Sequence, residues 1–173
     1  MDILFYIAGF VAVVSTLMVI TRKNAVHALL YLIVSLLAVA FIFSLLGAPF
    51  VAALEVIIYA GAIMVLFIFV IMMINAGRES IEQERQWISP AGWVGPACLS
   101  AVLLGELIYA MTSSSIKIMD VSMVSPKQVG MSLFGPYLMA VELASMLLLS
   151  GLIGATHLGR RDQADKEKEG GGA

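Results

Sequence analysis

Five long apolar stretches separated by polar breaks dominate the chain, at about residues 3–20, 25–46, 50–74, 91–111 and 131–157. Each is long enough to cross a hydrocarbon core of ~30 Å as a helix rising ~1.5 Å per residue. The pattern predicts an all-α, polytopic membrane protein with five transmembrane helices, forming one domain over residues 1–159. The third stretch, from Phe50 to Ile74, holds a single charge, Glu55. As a straight helix it would be roughly 37 Å long, so it must tilt or bulge.

The breaks carry their own signals. Thr21-Arg22-Lys23-Asn24 ends the first helix, and Asn24 is placed to cap the second. Gly47-Ala48-Pro49 predicts a tight turn into the third, with proline where a missing N–H matters least. Arg78 to Arg85, with Glu79, Glu82 and Glu84, reads as a solvated connector. Trp87 and Trp93 flank Pro90 as interfacial anchors of the fourth helix. A Ser-rich polar loop over residues 112–130 precedes the fifth helix, which opens around Gly135-Pro136. Residues 160–173 are charged and glycine-ended and read as a disordered polar tail.

Charge placement sets the expected orientation. Arg22, Lys23, Arg78, Arg85, Arg160, Arg161, Lys166 and Lys168 fall on one side, against Lys117 and Lys127 on the other. Basic residues favour the cytoplasmic face, so the N-terminus is expected outside, in the periplasm, and the C-terminus in the cytoplasm. The first stretch begins with Asp2 where a signal peptide would be basic, and reads as a helix of the mature chain.

Composition narrows the function. At 61% hydrophobic and 13% charged residues, there is too little polar surface to coat a soluble domain. Scattered basic residues disfavour nucleic-acid binding. The one cysteine, Cys98, excludes an intrachain disulfide and a Cys-ligated iron–sulfur cluster, and reads as a small buried hydrophobe. His27 and His157 lie at helix ends, where interfacial or capping roles are commoner than haem ligation. An odd span count without an internal repeat argues against a self-contained inverted-repeat transporter.

The polar groups at membrane depth are therefore the candidates. A charged carboxylate near the bilayer centre costs on the order of 2.5–3.5 kcal/mol, so Glu55 is protonated, paired or beside water. Tyr59 follows one turn on, and Ala60-Gly61-Ala62 leaves the backbone nearly bare. Gly61 lowers the cost of leaving regular α geometry, and π-bulges gather at functional sites. The competing reading makes Glu55 a simple interhelical hydrogen-bonding group and Gly61 a packing residue. Glu142, about nine residues into the expected fifth helix, would sit near the bilayer middle, with Ser145 and Met146 on its face. Glu106 stands near the far end of the fourth helix, close enough to water to snorkel.

Three separated runs, NAVHALLYL at 24–32, LEVIIYAGAIMVLFIFVIMM at 54–73 and FGPYLMAVELASMLLL at 134–149, closely resemble one family. It comprises subunit J of bacterial NADH:quinone oxidoreductase, respiratory complex I, and its mitochondrial counterpart, NADH dehydrogenase subunit 6. The resemblance implies a non-catalytic subunit of the bacterial inner membrane. Its place would be between the quinone-reducing arm and the pumping arm, beside the quinone-chamber subunit, a small glutamate-bearing subunit and antiporter-like subunits. NADH, FMN, iron–sulfur clusters and quinone would be handled by other subunits, with no cofactor or metal in this chain. In that family a π-bulge in the third helix converts to plain α-helix and gates a hydrated link to the pumps. By position the bulge falls on Tyr59 to Phe67, with Tyr59, Gly61, Met64 and Phe67 as moving parts and Glu55 and Glu142 as charge sites. A subunit of a multisubunit cation/proton antiporter, or a structural spacer, is the alternative.

Overall fold

The computed structural model describes residues 2–22, 24–74, 90–112 and 123–170. The charged connector at 78–85, Trp87, Lys117 and residues 171–173 lie outside the described residues. The elements are α1 (Asp2–Thr21), α2 (Ala25–Leu45), α3 (Pro49–Leu54), π1 (Glu55–Ile63), α4 (Met64–Ile74), α5 (Pro90–Thr112), α6 (Pro126–Leu133) and α7 (Leu138–Gly170). Here α3, π1 and α4 run on as one span. Among the described residues five helices are long and apolar enough to cross a membrane, and none forms a strand. The all-α, five-span reading therefore holds.

Two compact units divide at residue 125. In the first, α2 is the central helix, touching α1, α3, π1, α4 and α5. Its ends are fixed as the sequence predicts. The Asn24 Oδ1 accepts from the N–H groups of Val26 and His27 at 2.9 and 3.4 Å, satisfying donors that a helix start leaves unpaired. At the other end Gly47 takes φ 81°, with Ala48 N–H donating to Phe43 C=O and Gly47 N–H to Ser44 C=O. This is a Schellman stop, and its left-handed residue requires glycine. The Gly47 carbonyl in turn accepts from Val124 N–H at 2.9 Å.

The core of this unit is small: Val11 of α1 with Val34 and Ala38 of α2, covered by Ala12, Leu99 and Leu103. Small residues let the backbones approach, and the Thr16 and Ser35 hydroxyls lie 2.8 Å apart, each placed to donate to the Ala12 carbonyl, at 2.8 and 3.2 Å. At the break between α1 and α2, Arg22 lies over the Tyr31 ring, 5.3 Å from its centre, and donates to its hydroxyl. Gly95 of α5 abuts that same ring.

The second unit corrects two expectations. The apolar stretch at 131–157 is not one helix, because residues 134–137 turn between α6 and α7. Pro136 disfavours α geometry in Gly135, and a Cβ at Gly135 would stand 2.7 Å from the Met131 carbonyl, so glycine is required there. The spanning segment is Leu138–His157. The backbone of α7 also continues to Gly170, where a disordered tail from 160 was expected. Arg, Lys and Glu, all good helix formers, make up six of its residues from 160 to 170.

Candidate functional site: the π-helical third span

Residues 55–63 depart from α geometry inside the third span. The π1 segment is nine residues long, begins at Glu55 and ends at Ile63. Its last turn hands over to α4 through the N–H of Met64, which donates to the Tyr59 carbonyl five residues back. The segment lies four residues N-terminal of the 59–67 stretch implied by the resemblance. Tyr59 and Gly61 fall inside it, while Met64 and Phe67 fall on the regular helix that follows.

Gly61 matches this geometry. A Cβ built there would stand 3.2 Å from the Val56 carbonyl, again five residues back, tighter than side chains usually tolerate. Glycine thus relieves a contact that the widened turn itself creates. Around it π1 is loosely held: none of its residues is fully buried, and Tyr59 is 49% exposed. Met64 is the anchor just beyond, 2% exposed, whereas Phe67 is turned outward. Glu55, partly buried, stands at the first position of the segment.

A cavity of about 370 Å³ borders the start of π1. Ala52, Ala53 and Val56 line one wall, Phe41 and Ser44 of α2 a second, and Leu103 of α5 belongs to a third. Apart from Ser44 and Ser100 its lining is apolar. Among the described residues no cluster of three His, Cys, Asp or Glu side chains is arranged to hold a metal ion.

The other candidates sit differently. Glu142 belongs to the second unit, exposed on α7, where its carbonyl accepts from Ser145 Oγ at 2.7 Å. It is the fifth residue of its span, roughly 6 Å from the start. It was expected about nine residues into its helix, but the helix that carries it begins at Leu138, after the turn at Gly135-Pro136. Cys98, expected buried, is exposed on α5, because it lies off the face formed by Gly95, Leu99 and Leu103. Glu106 reverses its expectation too: it is 6% exposed instead of snorkelling. Counting residues to the helix end hid this, whereas its spacing from Leu99 and Leu103 places it on the packed face.

Comparison with known proteins follows the same segments. The family described as NADH-ubiquinone/plastoquinone oxidoreductase chain 6 matches residues 15–158. NADH-quinone oxidoreductase subunit J of Escherichia coli (strain K12) is 57% identical over 164 residues, covering 95% of this chain and 89% of the relative. The subunit J of Pseudomonas aeruginosa is 58% identical, covering 94% of this chain and 98% of its own length. That of Buchnera aphidicola subsp. Schizaphis graminum is 50% identical over 92% of this chain and 98% of its own length. With four of its five candidate spans and π1 inside the matched region, the chain belongs to the NADH-ubiquinone/plastoquinone oxidoreductase chain 6 family.

Proposed function

We propose that the chain is a membrane-arm subunit of a proton-translocating NADH:quinone oxidoreductase, coupling quinone reduction to proton movement through π1. It has no reaction centre of its own in this reading. NADH, FMN, iron–sulfur and quinone chemistry belong to other subunits, and its neighbours are the quinone-chamber subunit, the small glutamate-bearing subunit and the antiporter-like subunits. The assembly resides in the bacterial inner membrane, with the N-terminus of this chain periplasmic and its C-terminus cytoplasmic. The oxidoreductase name of its relatives favours this over the antiporter reading.

The observation that carries the coupling role is the nine-residue π segment bordering a cavity within a spanning helix. Returning one wide turn to α geometry passes N–H donors to the next carbonyl. It also displaces the following side chains by roughly 100° about the axis, one residue's worth of an α turn. Such a change turns Met64 away from its buried position and repositions Tyr59 and Phe67, with Glu55 at the edge of the rearranged segment. The cavity against Ala52, Ala53 and Val56 supplies room for it. The two geometries need lie only a little apart, since ~1.4 kcal/mol is a tenfold change in population.

Gly61→Val tests this. Valine is apolar and the helix still inserts, but its branched side chain meets the Val56 carbonyl and disfavours the π form. At matched complex content in membrane vesicles, NADH-to-quinone turnover and proton-gradient formation are expected to fall together. Full activity in Gly61→Val would sink the coupling role of π1. Glu142→Gln separates the second charge site: loss of gradient formation with turnover retained marks a role in proton movement alone, and equal loss of both marks a step that turnover also needs.

A further inference from the structure

Glu106 is a buried acid that the coupling role of π1 does not use. It continues the line of Gly95, Leu99 and Leu103 along α5, at spacings of four, four and three residues that stack on one helix face. Gly95 abuts Tyr31 of α2, and Leu99 and Leu103 pack on Val11 of α1 and on Val34 and Ala38 of α2. The glutamate is 6% exposed, and neither of its carboxylate oxygens has a hydrogen-bond partner among the described residues.

None of the titratable side chains described on α1, α2 or α5 hydrogen-bonds to it. Tyr6 of α1 and Tyr109 of α5 are 71% and 60% exposed, and Cys98 is exposed as well. Arg22 and Tyr31 engage each other at the Gly95 end of the seam, with His27 one turn before Tyr31. That end is eleven residues of α5, roughly 16 Å, from Glu106.

An ionised carboxylate withdrawn from water with neither a counter-charge nor a donor is far costlier than the neutral acid. A bound metal ion is a poor remedy, because hard cations take about six or more oxygen ligands and one carboxyl supplies at most two. A proton needs a single oxygen. We propose that Glu106 is a proton-binding site, held as the neutral acid in the α1–α2–α5 seam. The site stands whether or not π1 moves.

The test compares purified wild-type complex with Glu106→Gln and Glu106→Leu. Infrared spectra of the wild type at neutral pH are expected to contain a carboxylic-acid carbonyl band that both variants lose, with no loss of carboxylate absorption. Both variants are expected to assemble to wild-type yield, since each is as uncharged as the acid it replaces. Loss of carboxylate absorption in place of the acid band overturns the proposal. So does failure of both variants to assemble, which is the behaviour of an ionised glutamate whose cationic partner on another subunit has been left unpaired.

Discussion

Two regions of the first unit, both built on α2, handle small residues in opposite ways. In the α1–α2–α5 seam, Ala38 and Gly95 are small so that neighbours can touch: Ala38 is fully buried and Gly95 is filled over by Tyr31. In π1, Ala60, Gly61 and Ala62 are small with no comparable covering, and Gly61 meets only its own helix, at the Val56 carbonyl. The first use excludes alternatives, because a close-packed contact has one geometry. The second relaxes the backbone, and in the proposed coupling role it gives a segment beside a cavity a choice of two hydrogen-bond registers. A membrane helix that must change shape needs a neighbour that does not, and α2 serves both.

The largest effect is expected where the seam is broken. A Cβ at Gly95 falls on the Tyr31 hydroxyl and 3.0 Å from the ring carbon that bears it. That ring is 2% exposed and held by Arg22, so it has little freedom to swing away. Overpacking of this kind costs about 1–3 kcal/mol. Gly95→Val should leave little assembled complex on native gels, and Tyr31→Phe should partly restore Gly95→Ala by removing the obstructing oxygen. Normal assembly of Gly95→Val would erase the contrast with π1.

A smaller effect, on activity and not on assembly, is expected from the same kind of change in π1. Gly61→Ala adds one methyl group 3.2 Å from the Val56 carbonyl only while the turn stays wide. It should therefore bias π1 toward the α form, lowering turnover several-fold, for example by the ~1.4 kcal/mol that shifts a population tenfold. Complex content should match the wild type. Turnover in membranes, normalised to that content, is the measurement.

How much of this was legible follows the same division. Span number, the Asn24 cap and the Gly47-Ala48-Pro49 turn were readable because each depends on local chemistry: apolar length, a side-chain acceptor, a residue free to take positive φ. The start of the fifth span was misplaced because hydropathy continues through Gly135-Pro136 while the backbone does not. Glu106 and Cys98 exchanged their expected environments since burial in a bundle is decided by helix face, which an almost uniformly apolar α5 conceals. Gly61 pointed to a deformable turn, but the register of π1 emerged only from the hydrogen bond between Met64 and Tyr59.

Filling the cavity should sharpen the comparison further, with a weaker effect. Ala53 lines it next to π1, and leucine there adds apolar volume to an existing space instead of forcing packed atoms apart. Ala53→Leu should assemble fully and slow turnover modestly by taking up the room into which π1 rearranges. If Ala53→Leu and Gly61→Ala are combined, their effects on turnover should be less than additive, since both act on one equilibrium.

The smallest effect should come from the polar contact of the seam. Thr16 Oγ1 and Ser35 Oγ lie 2.8 Å apart, and each also reaches the Ala12 carbonyl, at 2.8 and 3.2 Å. Removing one hydroxyl leaves the other with a partner, so no buried group is orphaned, and the net loss for a hydrogen bond of this kind is about 0.5–1.5 kcal/mol. Removing both as Thr16→Val with Ser35→Ala trades the pair for apolar atoms of similar shape, which is often nearly neutral. The Ala12 carbonyl keeps its place in the α1 backbone ladder. Thermal inactivation of the complex should therefore shift slightly for each single variant and no further for the double, with turnover unchanged in all three. A drop in turnover without loss of complex would mean that the seam moves during the catalytic cycle, and the division between a fixed α2 scaffold and a mobile π1 would fail.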